Sequence, residues 1–383
     1  LAPLPLPKPP LASAERTGAR PRFIRLTPES GELLHLDALR LLASIAIVVV
    51  HFRTNLLAAW PNSSEAFRRL DGLSVGVDLF FAISGFVICW VYHDRMTSLA
   101  EWATFLRRRV ARLVPLHWAT LLFFVAVGIT AGVTDTALSK PSKYGFDCLL
   151  PNVLLIHAFG VCNAPSFNTV SWSISAEMAM YVSFPLLLVI LRRTPFGFLA
   201  GLVCLLAVLE TSPWSPPWIE RTYAGGVIRA VPGFCLGMAL FQFNGQLARI
   251  PAARVLLAAS LAGFVLAVGL GAPKGALVLI VYLAAALGVA ADRGGQAGPI
   301  VRAIAPGGRL TYSIYMLHPI VQSLFITLLG RRILQLNPWQ TTVWSIVGIF
   351  FAIAVGYLSL CMLEEPARRI LSRPRKGNAG KTE

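Results

Sequence analysis

With 383 residues, 56% of them hydrophobic and only 14% charged, and a mean hydropathy of +0.66, the chain does not have the composition of a soluble globular domain. It reads as an all-α polytopic membrane protein. A formal net charge of +16 would suggest nucleic acid in a soluble protein, but the basic residues fall between apolar runs, so membrane topology explains them and no nucleic-acid partner is expected.

Residues 1–32 are Pro-rich and basic without an apolar core. They read as a disordered cytoplasmic tail rather than a cleavable signal peptide. Residues 33–366 form the membrane domain, and residues 367–383 read as a basic cytoplasmic tail with no soluble domain after the last span. The organising stretch is 36–60, LDALRLLASIAIVVVHFRTNLLAAW, long and apolar enough to cross a bilayer yet carrying Asp37, Arg40 and His51. A charge inside a span costs about 2.5–3.5 kcal/mol on insertion scales, so such residues usually face the bundle interior. Arg40 and His51 are separated by three helical turns and share a face, about 16 Å apart along the axis. Each has a plain structural alternative: Arg40 can snorkel and pair with Asp37, and His51 can be a satisfied histidine near the far interface.

Apolar runs follow near 73–92, 110–132, 146–160, 170–191, 196–212, 224–241, 252–271, 275–291, 310–330 and 341–363. The run at 146–160 is short and holds Pro151 and His157. If it does not cross, the lysines and arginines concentrate on one side together with the termini; if it does cross, that asymmetry is lost. The expectation is therefore about ten transmembrane helices with both termini cytoplasmic, and an extracytoplasmic excursion over 133–170. Cys148 and Cys162 lie in that excursion, where a disulfide is permitted but not required. Cys89, Cys204, Cys235 and Cys361 read as packing residues in spans, and no Cys/His spacing suggests a metal.

Several stretches carry chemistry. The second span holds Asp78, which needs a partner, with Arg40 or His51 as the nearest guess, and Gly76 and Gly85, which permit close helix approach. FLRRRVARLVPLHW places Arg107, Arg108, Arg109 and Arg112 where the third span leaves the cytoplasm. An ordinary positive-inside anchor would do the same, but four arginines without a lysine suit bidentate contacts to phosphates. The fifth span opens VSWSISAE, with Ser171, Trp172 and Ser173 at its mouth and Glu177 roughly level with His51. A later span carries Tyr315 and His318, the latter just before Pro319, where it can instead bond a carbonyl freed by the proline.

Taken together, LDALRLLASIAIVVVHF, GVDLFFAISGF, FLRRRVARLVPLHW, SWSISAE, YSIYMLHP and EEP resemble the acyltransferase-3 family of integral membrane acyltransferases, in its stand-alone form without an appended esterase-like domain. The family usually has Tyr where His117 stands, so His117 receives no family role. The resemblance implies transfer of an acyl group, commonly acetyl, from cytoplasmic acyl-CoA to a hydroxyl on a cell-surface or exported carbohydrate or glycolipid, at the plasma (inner) membrane. It also implies Arg40, His51, Arg109 and Arg112 as functional positions.

The expected site has His51 as general base, oriented by Glu177 or Asp78. The nucleotide end of acyl-CoA, a cosubstrate rather than a tightly bound cofactor, would sit at Arg107, Arg108, Arg109 and Arg112, with Arg40 steering it inward. The acceptor would lie near Ser171, Trp172, Ser173, Tyr315 and His318. A covalent acyl-histidine or acyl-serine relay is equally compatible. Two alternatives stand beside this reading: a transporter or flippase of lipid-linked sugars, and an acyltransferase acting on a small acceptor such as a macrolide.

Overall fold

The computed structural model describes residues 23–24, 26–27, 32–135, 140–295 and 297–372. The expected tail at 1–32 and residues 373–383 of the expected C-terminal tail lie almost entirely outside these. The described residues form helices and turns, with no strand among them. The principal helices are α1 (Leu34–Ala59), α2 (Gly76–Tyr92), α3 (Leu99–Val133), α4 (Trp172–Arg193), α5 (Pro195–Thr211), α6 (Gly226–Gln242), α7 (Ala253–Gly269), α8 (Lys274–Arg293), α9 (Thr311–Val321) and α10 (Pro338–Ser359). A π-helical stretch, Gln322–Ile333, continues α9.

Among the described residues, seven helical segments are long and apolar enough to cross a membrane. The sequence reading expected about ten crossings. The difference lies in α5, α6 and α7, of 17 residues each. Each rises about 25 Å, somewhat less than the hydrocarbon thickness.

α1 packs against α2, α8, α9 and α10, so it joins both ends of the chain's helix order. The closest approach is between α2 and α6. A Cβ on Gly85 would stand 2.0 Å from the Phe234 carbonyl oxygen, and one on Gly237 would stand 1.9 Å from the Ala82 oxygen. These reciprocal glycines let the two backbones touch, which replaces the hydrophobic drive that lipid cannot supply. The same pair of helices is joined by a buried ion pair. Arg229 donates from Nε to Asp78 Oδ1 at 3.0 Å and from a terminal nitrogen to Asp78 Oδ2 at 2.7 Å. Asp78 therefore pairs with Arg229 on α6, not with Arg40 or His51 as expected.

The run at 146–160 folds as short helical turns, Phe146–Cys148, Leu149–Val153 and His157–Phe159, and not as a span. Cys148 and Cys162 are disulfide-bonded, with Cα atoms 5.7 Å apart. The excursion is also fastened to the bundle: Asn168 Nδ2 donates to Thr120 Oγ1 and to the Met316 carbonyl, both at 3.0 Å. His117 Nε2 meets the Asn152 carbonyl at 2.8 Å.

Candidate active site

α3 begins earlier than the apolar run suggested. Ser98 caps it by accepting from the Glu101 amide, so the arginine cluster lies inside the helix rather than in a loop. The helix then sorts the four side chains by face. Arg109 and Arg112, three residues apart, line a cleft of about 730 Å³, while Arg107 and Arg108 are not in its lining and Arg108 is exposed. All four were expected to act together; only Arg109 and Arg112 stand in this lining.

Arg40 of α1 enters the same cleft, as do Ser84 of α2, Ser173, Glu177 and Tyr181 of α4, and Thr311, Tyr312 and Tyr315 of α9. Val77, Phe80, Phe81, Val87 and Ile174 supply an apolar wall. Arg40 is held by contacts of 3.4 Å to Asp37 and to Thr311 Oγ1. The Arg109 guanidinium lies 5.5–5.8 Å from the ring centroids of Tyr92, Phe105 and Tyr181, a cation held by aromatic faces. Glu177 accepts from Ser84 Oγ at 2.7 Å and from the Tyr181 hydroxyl. Arg112 makes no hydrogen bond among the described residues. The cleft thus presents three cations against one carboxylate that two hydroxyls already engage.

The other expected residues divide between this lining and sites outside it. Glu177 faces the arginines and is not hydrogen-bonded to His51. Ser171 is fully buried, donating to the Asn168 carbonyl at 2.7 Å and sharing a hydrogen bond of 3.1 Å with His157 Nε2. Trp172 lies beneath the Arg229 guanidinium at 5.3 Å and edge-on to Phe81 at 6.1 Å. Neither presents an open surface for stacking a sugar; the ion pair and the α4 N-terminus use them up. Ser173 does reach the cleft and donates to the Tyr315 hydroxyl at 2.8 Å, which in turn donates to the Val170 carbonyl at 2.9 Å.

His51 and His318 form a second cluster beyond Tyr315. The His318 ring lies 6.0 Å from that of Tyr315 and 4.8 Å from that of His51. His51 is half-buried, with Arg53, Lys143 and Asp71 as its charged neighbours. Arg40 therefore lines the cleft and His51 does not: it packs on His318, whose ring in turn meets that of Tyr315.

Sequence reasoning missed Arg229, Tyr181 and Ser84. Arg229 did carry a signal, being a charge within the apolar run 224–241. Tyr181 stands one helical turn after Glu177. Ser84 was visible only as a small polar residue in a span.

Residues 33–361 match the family described as the acyltransferase domain. Among curated proteins, the chain is 27% identical to acyltransferase MdmB of Streptomyces mycarofaciens, over 93% of this chain and 95% of that one. It is 29% identical to the exopolysaccharide production protein ExoZ of Rhizobium meliloti, over 80% of this chain and 93% of that one. No solved structure matches the chain. The chain belongs to the acyltransferase-3 family and is a multi-pass membrane acyltransferase that transfers groups other than aminoacyl groups.

Proposed function

We propose that the protein transfers an acyl group, acetyl in the simplest case, from acyl-CoA on the cytoplasmic side of the plasma (inner) membrane to a hydroxyl of a cell-surface or exported carbohydrate. The observation that carries this reading is the cleft: Arg112, without a hydrogen-bonded partner among the described residues, stands beside Arg40 and Arg109 in a lining that also holds an apolar wall and several hydroxyls. An elongated ligand with anionic groups and a flexible apolar arm fits such a lining. Acyl-CoA has that form. The disulfide in the excursion suits an oxidising outer face, which would put the acceptor on the opposite side from the donor. A relative named for exopolysaccharide production favours a carbohydrate acceptor.

In this reading, Arg109 and Arg112 hold the anionic end of the donor and Arg40 draws it inward. His51 takes the proton of the acceptor hydroxyl, whose oxygen bonds to the acyl carbon. The carbon–sulfur bond breaks, and the thiolate of CoA recovers the proton from His51. Such general-base assistance contributes typically about 10²–10⁴-fold. Tyr315 and Ser173 line the cleft, and either hydroxyl, turned from its present acceptor, would donate to the thioester oxyanion. The test is the O-acetyl content of surface polysaccharide from cells expressing the wild type or His51→Gln. The reading expects acetylation with the first and background with the second. Equal acetylation by both would overturn the role of His51, and none with a well-expressed wild type would overturn the acceptor class.

A further inference from the structure

The two carboxylates expected to orient His51 are engaged elsewhere, Asp78 by Arg229 and Glu177 by Ser84 and Tyr181. No side chain hydrogen-bonds the His51 ring among the described residues; only its backbone carbonyl is used, accepting from Gln322 Nε2 at 2.7 Å and from Thr54 Oγ1 at 2.9 Å. A general base whose tautomer is unspecified spends part of its time with the wrong nitrogen protonated. Something else must fix it.

His318 is placed to do so. It is fully buried, and its Nδ1 meets the Ile314 carbonyl oxygen at 3.2 Å. A carbonyl can only accept, so Nδ1 carries the hydrogen, and in the neutral ring Nε2 holds a lone pair. That Nε2 is buried without a hydrogen-bond partner among the described residues. Buried polar atoms are rarely left so, because burial strips their water without returning a partner. The ring nearest it is that of His51, with centroids 4.8 Å apart and planes inclined at 53°. A ring nitrogen lies about 1.1 Å from its centroid, so at this centroid separation nitrogens turned toward each other stand within hydrogen-bond reach.

We propose that His318 is a positioning residue: its Nε2 accepts a hydrogen bond from one ring N–H of His51, leaving the other His51 nitrogen with a lone pair for the acceptor hydroxyl. This deepens the reading of His51 as the base and rests on it. The backbone supports the arrangement, since the Ile314 carbonyl fixes the tautomer of His318 and hence that of His51.

The experiment compares wild type, His318→Gln and His318→Phe, purified in detergent and checked by size exclusion and melting. Gln places an acceptor oxygen near the position of Nε2; Phe fills the space with none. Two readouts are taken. The first is CoA release from acetyl-CoA with water as acceptor. His318→Phe should lower kcat about tenfold to a hundredfold with KM within about twofold, and His318→Gln should recover most of the loss. The second is carbethoxylation of His51 by diethyl pyrocarbonate, followed by mass spectrometry, which reads the accessible lone pair directly. His318→Phe should slow it roughly threefold, and His318→Gln should not. Wild-type rates in His318→Phe, or equal losses in both variants, would overturn the proposal. If His318→Phe does not fold, His318→Leu takes its place. Absence of CoA release from the wild type would refute the donor reading, while the carbethoxylation arm would still decide the role of His318.

Discussion

Replacing Arg229 with leucine tests the part of the fold that the sequence least foretold. The Asp78 side chain is completely buried and that of Arg229 is 4% exposed. The substitution removes two charged hydrogen bonds, of 3.0 and 2.7 Å, and a contact of 3.1 Å from Arg229 to the Ser74 carbonyl. It also removes the cation from over the Trp172 ring. Breaking a buried pair from one side costs about 3–5 kcal/mol, mostly from the carboxylate left without a partner. At roughly 2 °C per kcal/mol for a chain of this size, Arg229→Leu should melt about 6–10 °C below wild type. A thiol-reactive fluorescent dye provides the assay, because Cys89, Cys235 and Cys361 are buried and become reactive on unfolding, whereas exposed Cys204 sets the baseline. The double variant Asp78→Leu/Arg229→Leu should recover most of the loss, since the stranded charge is gone. A single variant as stable as wild type, or a double variant as unstable as the single one, would refute the reasoning.

Other expectations follow from the same geometry. Gly237→Leu should force α2 and α6 apart, because even a Cβ there would stand 1.9 Å from the Ala82 oxygen; overpacking of about 1–3 kcal/mol or more should appear as a lower melting temperature and reduced yield. Gly132 has nothing within 4 Å of an added Cβ, so Gly132→Ala serves as a neutral control. Burial pushes the His157 imidazole down to about 4 from its ordinary value near 6.5. Between these values the unfolded chain binds the proton and the folded one does not, so the stability associated with His157 is intact above about pH 6.5 and is lost as pH falls toward 4. His157→Phe should flatten that slope in melts taken between pH 7 and pH 4. The disulfide closes a loop with a separation of 14 residues, and Cys148→Ser/Cys162→Ser should cost about 3 kcal/mol, read as a lower melting temperature that reducing agent does not change further.

What could be read from the sequence was what short-range pattern dictates. The apolar runs located the helices, and the charge asymmetry argued that 146–160 does not cross. The i,i+3 spacing of Arg109 and Arg112 put both on one face, and that face is the one lining the cleft. The side-chain partners could not be read in this way. Asp78 and Arg229 are 151 residues apart, and only the packing of α2 on α6 brings them together. His51 and His318 meet because α1 packs on α9. Helix periodicity gives a direction for each side chain but not the neighbour in that direction. The same limit explains Glu177: level along the axis with His51 was expected, yet its rotation about α4 turns it to the arginines and Ser84.

An arginine-lined cleft that takes an acyl-CoA donor should reveal itself in equilibrium binding of acetyl-CoA to the detergent-purified protein. Wild type should bind saturably. Arg109→Ala/Arg112→Ala should bind at least about tenfold more weakly, since two charged contacts of about 1.5–3 kcal/mol each are removed. Arg108→Ala, whose side chain lies outside the cleft, should bind like wild type. Saturable binding that is unchanged in the double variant, or no binding by folded wild type, would show that this cleft is not the donor site.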